Sequence, residues 1–132
     1  MRIEHLGIAV KALSDSDELF AKLLGKANYK HECVEREGVK TSFYQVGESK
    51  IELLEATSQE SPIAKFIETK KEGIHHIAFG VDDIYYEIER LKKEGFLFIS
   101  ETPKEGADNK IVVFLHPKST NGVLVELCQE KQ

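Results

Sequence analysis

Positive charge is scarce: 18 lysines and arginines against 23 aspartates and glutamates give a formal charge of −5. Such a chain presents no global basic field, so nucleic acid is not expected as a partner. Cysteine is scarcer still. Cys33 and Cys128 stand far apart and outside any CxxC spacing, which argues against a disulfide framework and leaves two reduced thiols expected to be packing residues. No apolar run approaches the length of a membrane span, and the first residues lack a signal-peptide layout, so the expected setting is the cytoplasm, without a membrane partner. A Gly-rich phosphate loop is missing, and Ser49, Ser61 and Ser119 have no nucleophile motif around them.

What is present is a module used twice. The run Gly73-Ile74-His75-His76-Ile77-Ala78-Phe79-Gly80-Val81 has an imperfect copy in His5-Leu6-Gly7-Ile8-Ala9-Val10. With His5 laid over His76, Val10 falls on Val81, and each copy leads into a helix that stops at a glycine, Gly25 or Gly95. Further on, Ile51-Glu52-Leu53-Leu54 and Val123-Leu124-Val125-Glu126-Leu127 each carry one acid among apolar neighbours, at nearly equal separations from their histidines. At 132 residues the two modules fit one domain of 1–132, with module 1 at about 1–58, a linker helix at about 61–71 and module 2 at about 73–130.

Each module reads β-α-β-β-β. In the first strand of each copy the histidine alternates with small residues on one face, while Leu6, Ile8 and Val10, or Ile77, Phe79 and Val81, line the other. The large face suits a covering helix, and a cavity is expected beside each histidine. Ser14 to Glu18 predicts a capped, acidic helix start with Leu19, Phe20, Leu23 and Leu24 as its buried stripe. Strands are expected near 29–34, 41–46 and 50–55, then a short helix capped by Ser61-Pro62. In the second module Asp82 or Asp83 caps a helix with Ile84, Ile88 and Leu91 on one face. Strands at 96–100, 111–115 and 123–128 follow.

A lone histidine on a strand is more often structural than a ligand, and a lone glutamate can lie on a solvated face. Their coincidence in both halves singles out His5, Glu52, His76 and Glu126, because a carboxylate among apolar neighbours is costly unless a cation or hydrogen bonds balance it. Pseudo-twofold packing of the halves would gather two imidazoles and two carboxylates, a set suited to Zn²⁺, Co²⁺, Ni²⁺ or Mn²⁺ with positions left open for chemistry. His75 should point away from His76 and serve structure, and His31 and His116 read as surface residues.

These segments, with Lys50-Ile51-Glu52-Leu53-Leu54-Glu55, Ser61-Pro62-Ile63-Ala64-Lys65-Phe66 and His116-Pro117-Lys118-Ser119, span nearly the whole chain. The sequence resembles the vicinal oxygen chelate superfamily, and within it the methylmalonyl-CoA epimerase family. The resemblance implies an α+β fold in which two tandem βαβββ modules form a curved mixed sheet cleft. It places His5, Glu52, His76 and Glu126 as ligands of a divalent metal, with Glu126 also the base that acts at carbon 2 of an acyl-CoA substrate through a metal-stabilised enolate. A homodimer is implied as well. Thr41 stands where some epimerases carry a second glutamate, which leaves water or another side chain as the second proton carrier. The alternatives are a glyoxalase I type lactoylglutathione lyase, which shares the two-His, two-Glu set, and a metal-free small-molecule-binding member.

Overall fold

The computed structural model describes residues 1–132, which divide into two compact units, His5–His75 and His76–Gln132, the latter together with Met1–Glu4. The elements run in the order β1 (Arg2–Ala9), α1 (Leu13–Leu24), β2 (Lys30–Val34), β3 (Val39–Val46), β4 (Ser49–Ala56), α2 (Pro62–Lys70), β5 (Gly73–Gly80), α3 (Ile84–Lys93), β6 (Lys104–Glu105), β7 (Lys110–Leu115) and β8 (Val125–Glu130). The doubled β-α-β-β-β pattern expected from the sequence is therefore present.

In the first unit the strands lie in the order β2-β3-β4-β1. β1 runs parallel to β4, and the remaining pairs are antiparallel. One sheet face is sealed by α1, where Val10, Leu13, Tyr44 and Leu53 form a core with Ile8, Phe20, Leu24 and Ile51 packed against it. The second unit repeats this arrangement. Its strands are ordered β5-β8-β7-β6, with β5 parallel to β8 and the other pairs antiparallel. Val81, Ile84, Ile88, Leu91, Val113, Leu115 and Leu127 make the core under α3. In both units the large apolar face of the histidine strand meets the helix, as its alternation predicts.

The two helices are also started in the same way. The carboxylate of Glu55 on β4 accepts the Leu13 N–H at 2.6 Å, and the side-chain carbonyl of Gln129 on β8 accepts the Ile84 N–H at 2.7 Å. Each of these residues lies three places beyond the glutamate of its strand, so the strand that carries the acid also satisfies an orphan donor of the covering helix. On α3, Asp83 adds a local cap by accepting the Tyr86 N–H at 3.1 Å.

Four expectations are corrected. Helix α1 begins at Leu13 after Ala12, which makes no side-chain cap, so the cap comes from Glu55 and not from Ser14. Leu19 and Leu23 are 62% and 71% exposed, and the buried stripe of α1 runs through Leu13, Phe20 and Leu24. Residues 96–100 make a single bridge, Phe98 to Leu115, in place of a strand, and the short strand β6 lies within the loop expected at 101–109. Phe96 and Phe98 nevertheless pack against the α3 core, which is why an apolar run there does not need a full ladder. Cys128 is buried as expected, whereas Cys33 is exposed.

Helix α1 is bound to its sheet by a polar contact as well as by the core. Asp17 accepts hydrogen bonds from the Ser42 and Tyr44 hydroxyls, each at 2.5 Å, and its other oxygen lies 2.8 Å from His31 Nε2. Burial alone would raise the Asp17 pKa, but the bonds from Ser42, Tyr44 and His31 outweigh it and the carboxyl lies below its ordinary value. Tyr44 moves the other way: burial first, then the Asp17 carboxylate, push its hydroxyl up to about 12, so it remains a neutral donor. A group whose folded pKa is depressed stabilises the fold above its unfolded value, about 4, and that stability is lost as pH falls through the folded value. Asp17→Asn should therefore cost about 1–3 kcal/mol at neutral pH and flatten the acid limb of the stability profile. Urea unfolding between neutral and strongly acidic pH checks this, and parallel profiles for the two proteins would contradict it.

Candidate metal centre

Cross-strand register fixes which side chains share the sheet face left uncovered by each helix. In the first unit Gly7 pairs with Glu52, Glu52 with Phe43, and Thr41 with Leu54. Paired and alternate residues point to one side, so His5, Gly7, Ala9, Glu52, Leu54, Thr41 and Phe43 lie on the face opposite α1. Helix α2 covers one end of that face, where Ala9, Leu54 and Ile63 pack with Val39, Phe66 and Ile67. In the second unit Ala78 pairs with Glu126, Glu126 with Phe114, and Val112 with Cys128. That places His76, Ala78, Glu126, Cys128, Phe114, Val112 and Lys110 together on the face opposite α3.

On each face one imidazole meets one carboxylate. His5 Nδ1 lies 3.2 Å from Glu52 Oε2, and His76 Nε2 lies 3.2 Å from Glu126 Oε1. All four residues are buried. The histidine of the second unit is braced by Phe114, whose ring meets the imidazole edge-on at a centroid distance of 5.9 Å. Thus His5 lies beside Glu52 and His76 beside Glu126. His75 turns away and stacks edge-on with Phe66 of α2 at 4.9 Å. His31 and His116 are exposed, and each makes a local contact: His31 with Asp17, and His116 by accepting the Lys118 N–H through Nδ1.

The donor set fits a divalent ion. Imidazole nitrogen with carboxylate oxygen suits zinc, cobalt, nickel and manganese. Two donors about 2.1 Å from one ion stand roughly 3.0–3.4 Å apart at octahedral to tetrahedral angles, and the observed 3.2 Å in both pairs falls within that range. What the sequence reading missed is a second pair of buried charges, Glu4 and Lys110. No local sequence pattern announces them; in the structure Glu4 and His5 are adjacent buried positions that break the alternation of β1.

The Glyoxalase/Bleomycin resistance protein/Dioxygenase superfamily model matches residues 4–114. The chain is 42% identical over 96% of its length to the mitochondrial methylmalonyl-CoA epimerase of Dictyostelium discoideum, covering 76% of that protein. It is 41% identical over 97% of its length to the ethylmalonyl-CoA/methylmalonyl-CoA epimerase of Cereibacter sphaeroides, covering 97% of it. Among solved structures, a variant of the Streptomyces coelicolor methylmalonyl-CoA epimerase in complex with 2-nitronate-propionyl-CoA superposes with a TM-score of 0.91 at 31% identity, over 98% of this chain and 94% of that one.

If the pairs bind an ion, ligand binding to the folded state alone must raise stability. Co²⁺ at about 100 times its dissociation constant should add roughly 2.7 kcal/mol, and a chelator should remove it. Thermal unfolding with and without Co²⁺ reads this directly. An unchanged midpoint at millimolar ion would rule out a metal centre built on these residues.

Proposed function

We propose that this chain, which belongs to the Glyoxalase/Bleomycin resistance protein/Dioxygenase superfamily, is a metal-dependent epimerase that inverts carbon 2 of methylmalonyl-CoA, with His5, Glu52, His76 and Glu126 as its metal ligands. The observation that carries the reading is the repetition of one buried imidazole-carboxylate pair, at the same 3.2 Å separation, in the two halves. No helix is long and apolar enough to cross a membrane, and the substrate class is an acyl-CoA. Zinc, cobalt, nickel and manganese all suit the donors, and the active assembly is taken to be a homodimer in the cytoplasm.

A divalent ion at this site supplies Lewis-acid stabilisation of the charge that develops on the thioester oxygen as carbon 2 loses its proton, an effect worth several kcal/mol. The rest falls to the protein. His5, Glu52 and His76 would hold that ion through imidazole nitrogen and carboxylate oxygen donors. Glu126 is the base: its carboxylate takes the proton from carbon 2, and Phe114 beside it contributes an apolar wall. A positioned base contributes about 10²–10⁴-fold. Inversion also needs a proton delivered to the opposite side of the planar intermediate. Thr41, buried on the face of Glu52, offers a hydroxyl that does not ionise near neutral pH, so a water or another side chain carries that second proton.

The test is exchange of the carbon 2 hydrogen of methylmalonyl-CoA with heavy water. Protein loaded with Co²⁺ should wash the hydrogen out, and chelated protein should not. Glu126→Gln should lower the rate by about 10²–10⁴-fold with the fold retained. Exchange that persists in that variant would remove Glu126 as the base. Absence of exchange with metal bound, together with turnover of a glutathione hemithioacetal, would move the chain to glyoxalase I chemistry.

His76→Ala should weaken ion binding without unfolding the protein. One ion bound per chain at unchanged affinity in that variant would take His76 out of the ligand set.

A further inference from the structure

Lysine is among the residues least often buried, yet Lys110 at the start of β7 is only 4% exposed. Its ammonium lies 3.8 Å from Glu4 Oε2, 3.5 Å from Asp108 Oδ2 and 3.8 Å from Glu130 Oε1, and it donates to the Asp108 carbonyl at 3.4 Å. Of the three acids, Glu4 alone is buried, at 7% exposure. A buried carboxylate next to a buried ammonium is a pair whose members need each other, because either charge left alone in that setting is strongly unfavourable. The remaining acids, Asp108 and Glu130, are nearer solvent.

Glu4 immediately precedes His5. The short segment Met1–Glu4 belongs with the second unit, and a further contact holds it there: the Arg2 guanidinium lies against Gly80, where an added Cβ would come within 2.8 Å of Cζ. The alternation of β1 is interrupted at this point, since Glu4 and His5 are both buried although they are neighbours. The chain must therefore be fixed on both sides of one peptide link for both side chains to be turned inward. Lys110 supplies the fixed point on the Glu4 side, and Glu52 receives His5 on the other.

We propose that Lys110, through its ion pair with Glu4, is a positioning residue that sets the backbone of β1 so that His5 presents its imidazole as a ligand. This rests on the reading of His5 as a ligand given above. Partners that orient ligands in this way typically change metal affinity by about 10–100-fold when removed. The sign of the effect identifies the role. Deleting a positive charge from the neighbourhood of a cation should, on simple electrostatics, tighten cation binding. A positioning residue predicts the reverse.

The experiment is a Co²⁺ titration of the full chain, followed by chelator competition and by the visible spectrum of the bound ion. In Lys110→Met the dissociation constant should rise about 10–100-fold and the spectrum should shift, while Lys110→Arg, which keeps the charge, should restore both. Ile88→Ala, a core change under α3 in the same unit, lowers stability without touching β1 and should leave affinity unchanged. If Lys110→Met does not fold, Lys110→Gln is read in its place with the same expectation. Unchanged or tighter Co²⁺ binding in the lysine variant overturns the proposal, and so does an equal loss in Ile88→Ala. If His5→Ala binds Co²⁺ as tightly as the wild type, the ligand reading falls and takes this inference with it. A loss of affinity in His5→Ala combined with none in Lys110→Met overturns the positioning role alone.

Discussion

A carboxylate buried in a sheet must be balanced, and the balance chosen here constrains everything around it. Glu52 and Glu126 sit on strands whose neighbours are apolar, and each is met by an imidazole at 3.2 Å. The partner must come from the adjacent parallel strand, since β1 lies beside β4 and β5 beside β8. A parallel pair requires a crossover, and here α1 or α3 with the strands after it makes that connection and covers the opposite face. The β-α-β-β-β order places a histidine strand beside a glutamate strand with a helix behind both, and its two middle strands extend the sheet beyond the glutamate strand. Residues between the pair and the helix are then forced to be small on one side and large on the other, which is the alternation of Gly7-Ile8-Ala9 and Ala78-Phe79-Gly80.

That constraint is why so much of the fold is legible in the sequence. Duplication supplies an internal comparison: a histidine or a glutamate that would be unremarkable once acquires meaning when it recurs at a matched position. Helix stops at Gly25, the Ser61-Pro62 start and the Asp83 cap rest on local chemistry that does not depend on tertiary context, and all are present. The errors have an equally physical origin. Leu19 and Leu23 are spaced four apart, as are Phe20 and Leu24, and the two pairs sit one residue, roughly 100°, apart around the helix. Periodicity alone does not choose between them. Phe20 and Leu24 share their face with Leu13, seven residues before Phe20 and buried, and with Asp17, which accepts from Ser42 and Tyr44.

Glu55 and Gln129 were illegible for a related reason. Each caps a helix that begins far from it in sequence, so no local pattern announces it, and the cap shows only when β4 and β8 lie next to α1 and α3. Their equivalence still ties structure to chemistry. One strand in each half delivers the acid of the candidate metal centre and, three residues later, the acceptor that starts the covering helix. Movement of that strand would disturb ligand and helix together, so the position of the acid is stabilised by the whole of the core behind it.

Thr41 can be understood from the same charge balance. It lies two residues from Phe43 on the face that carries Glu52, and it is buried. A carboxylate at that position would add a further buried negative charge to the face on which Glu52 already meets the His5 imidazole at 3.2 Å. A threonine hydroxyl can be satisfied by hydrogen bonding without any counter-charge. The second unit tolerates an additional buried acid, Glu4, because Lys110 accompanies it. Buried acids in this chain therefore appear where a base or ammonium faces them, and Thr41 marks a place where an uncharged group spares the fold that requirement while leaving a polar atom on the face that carries Glu52.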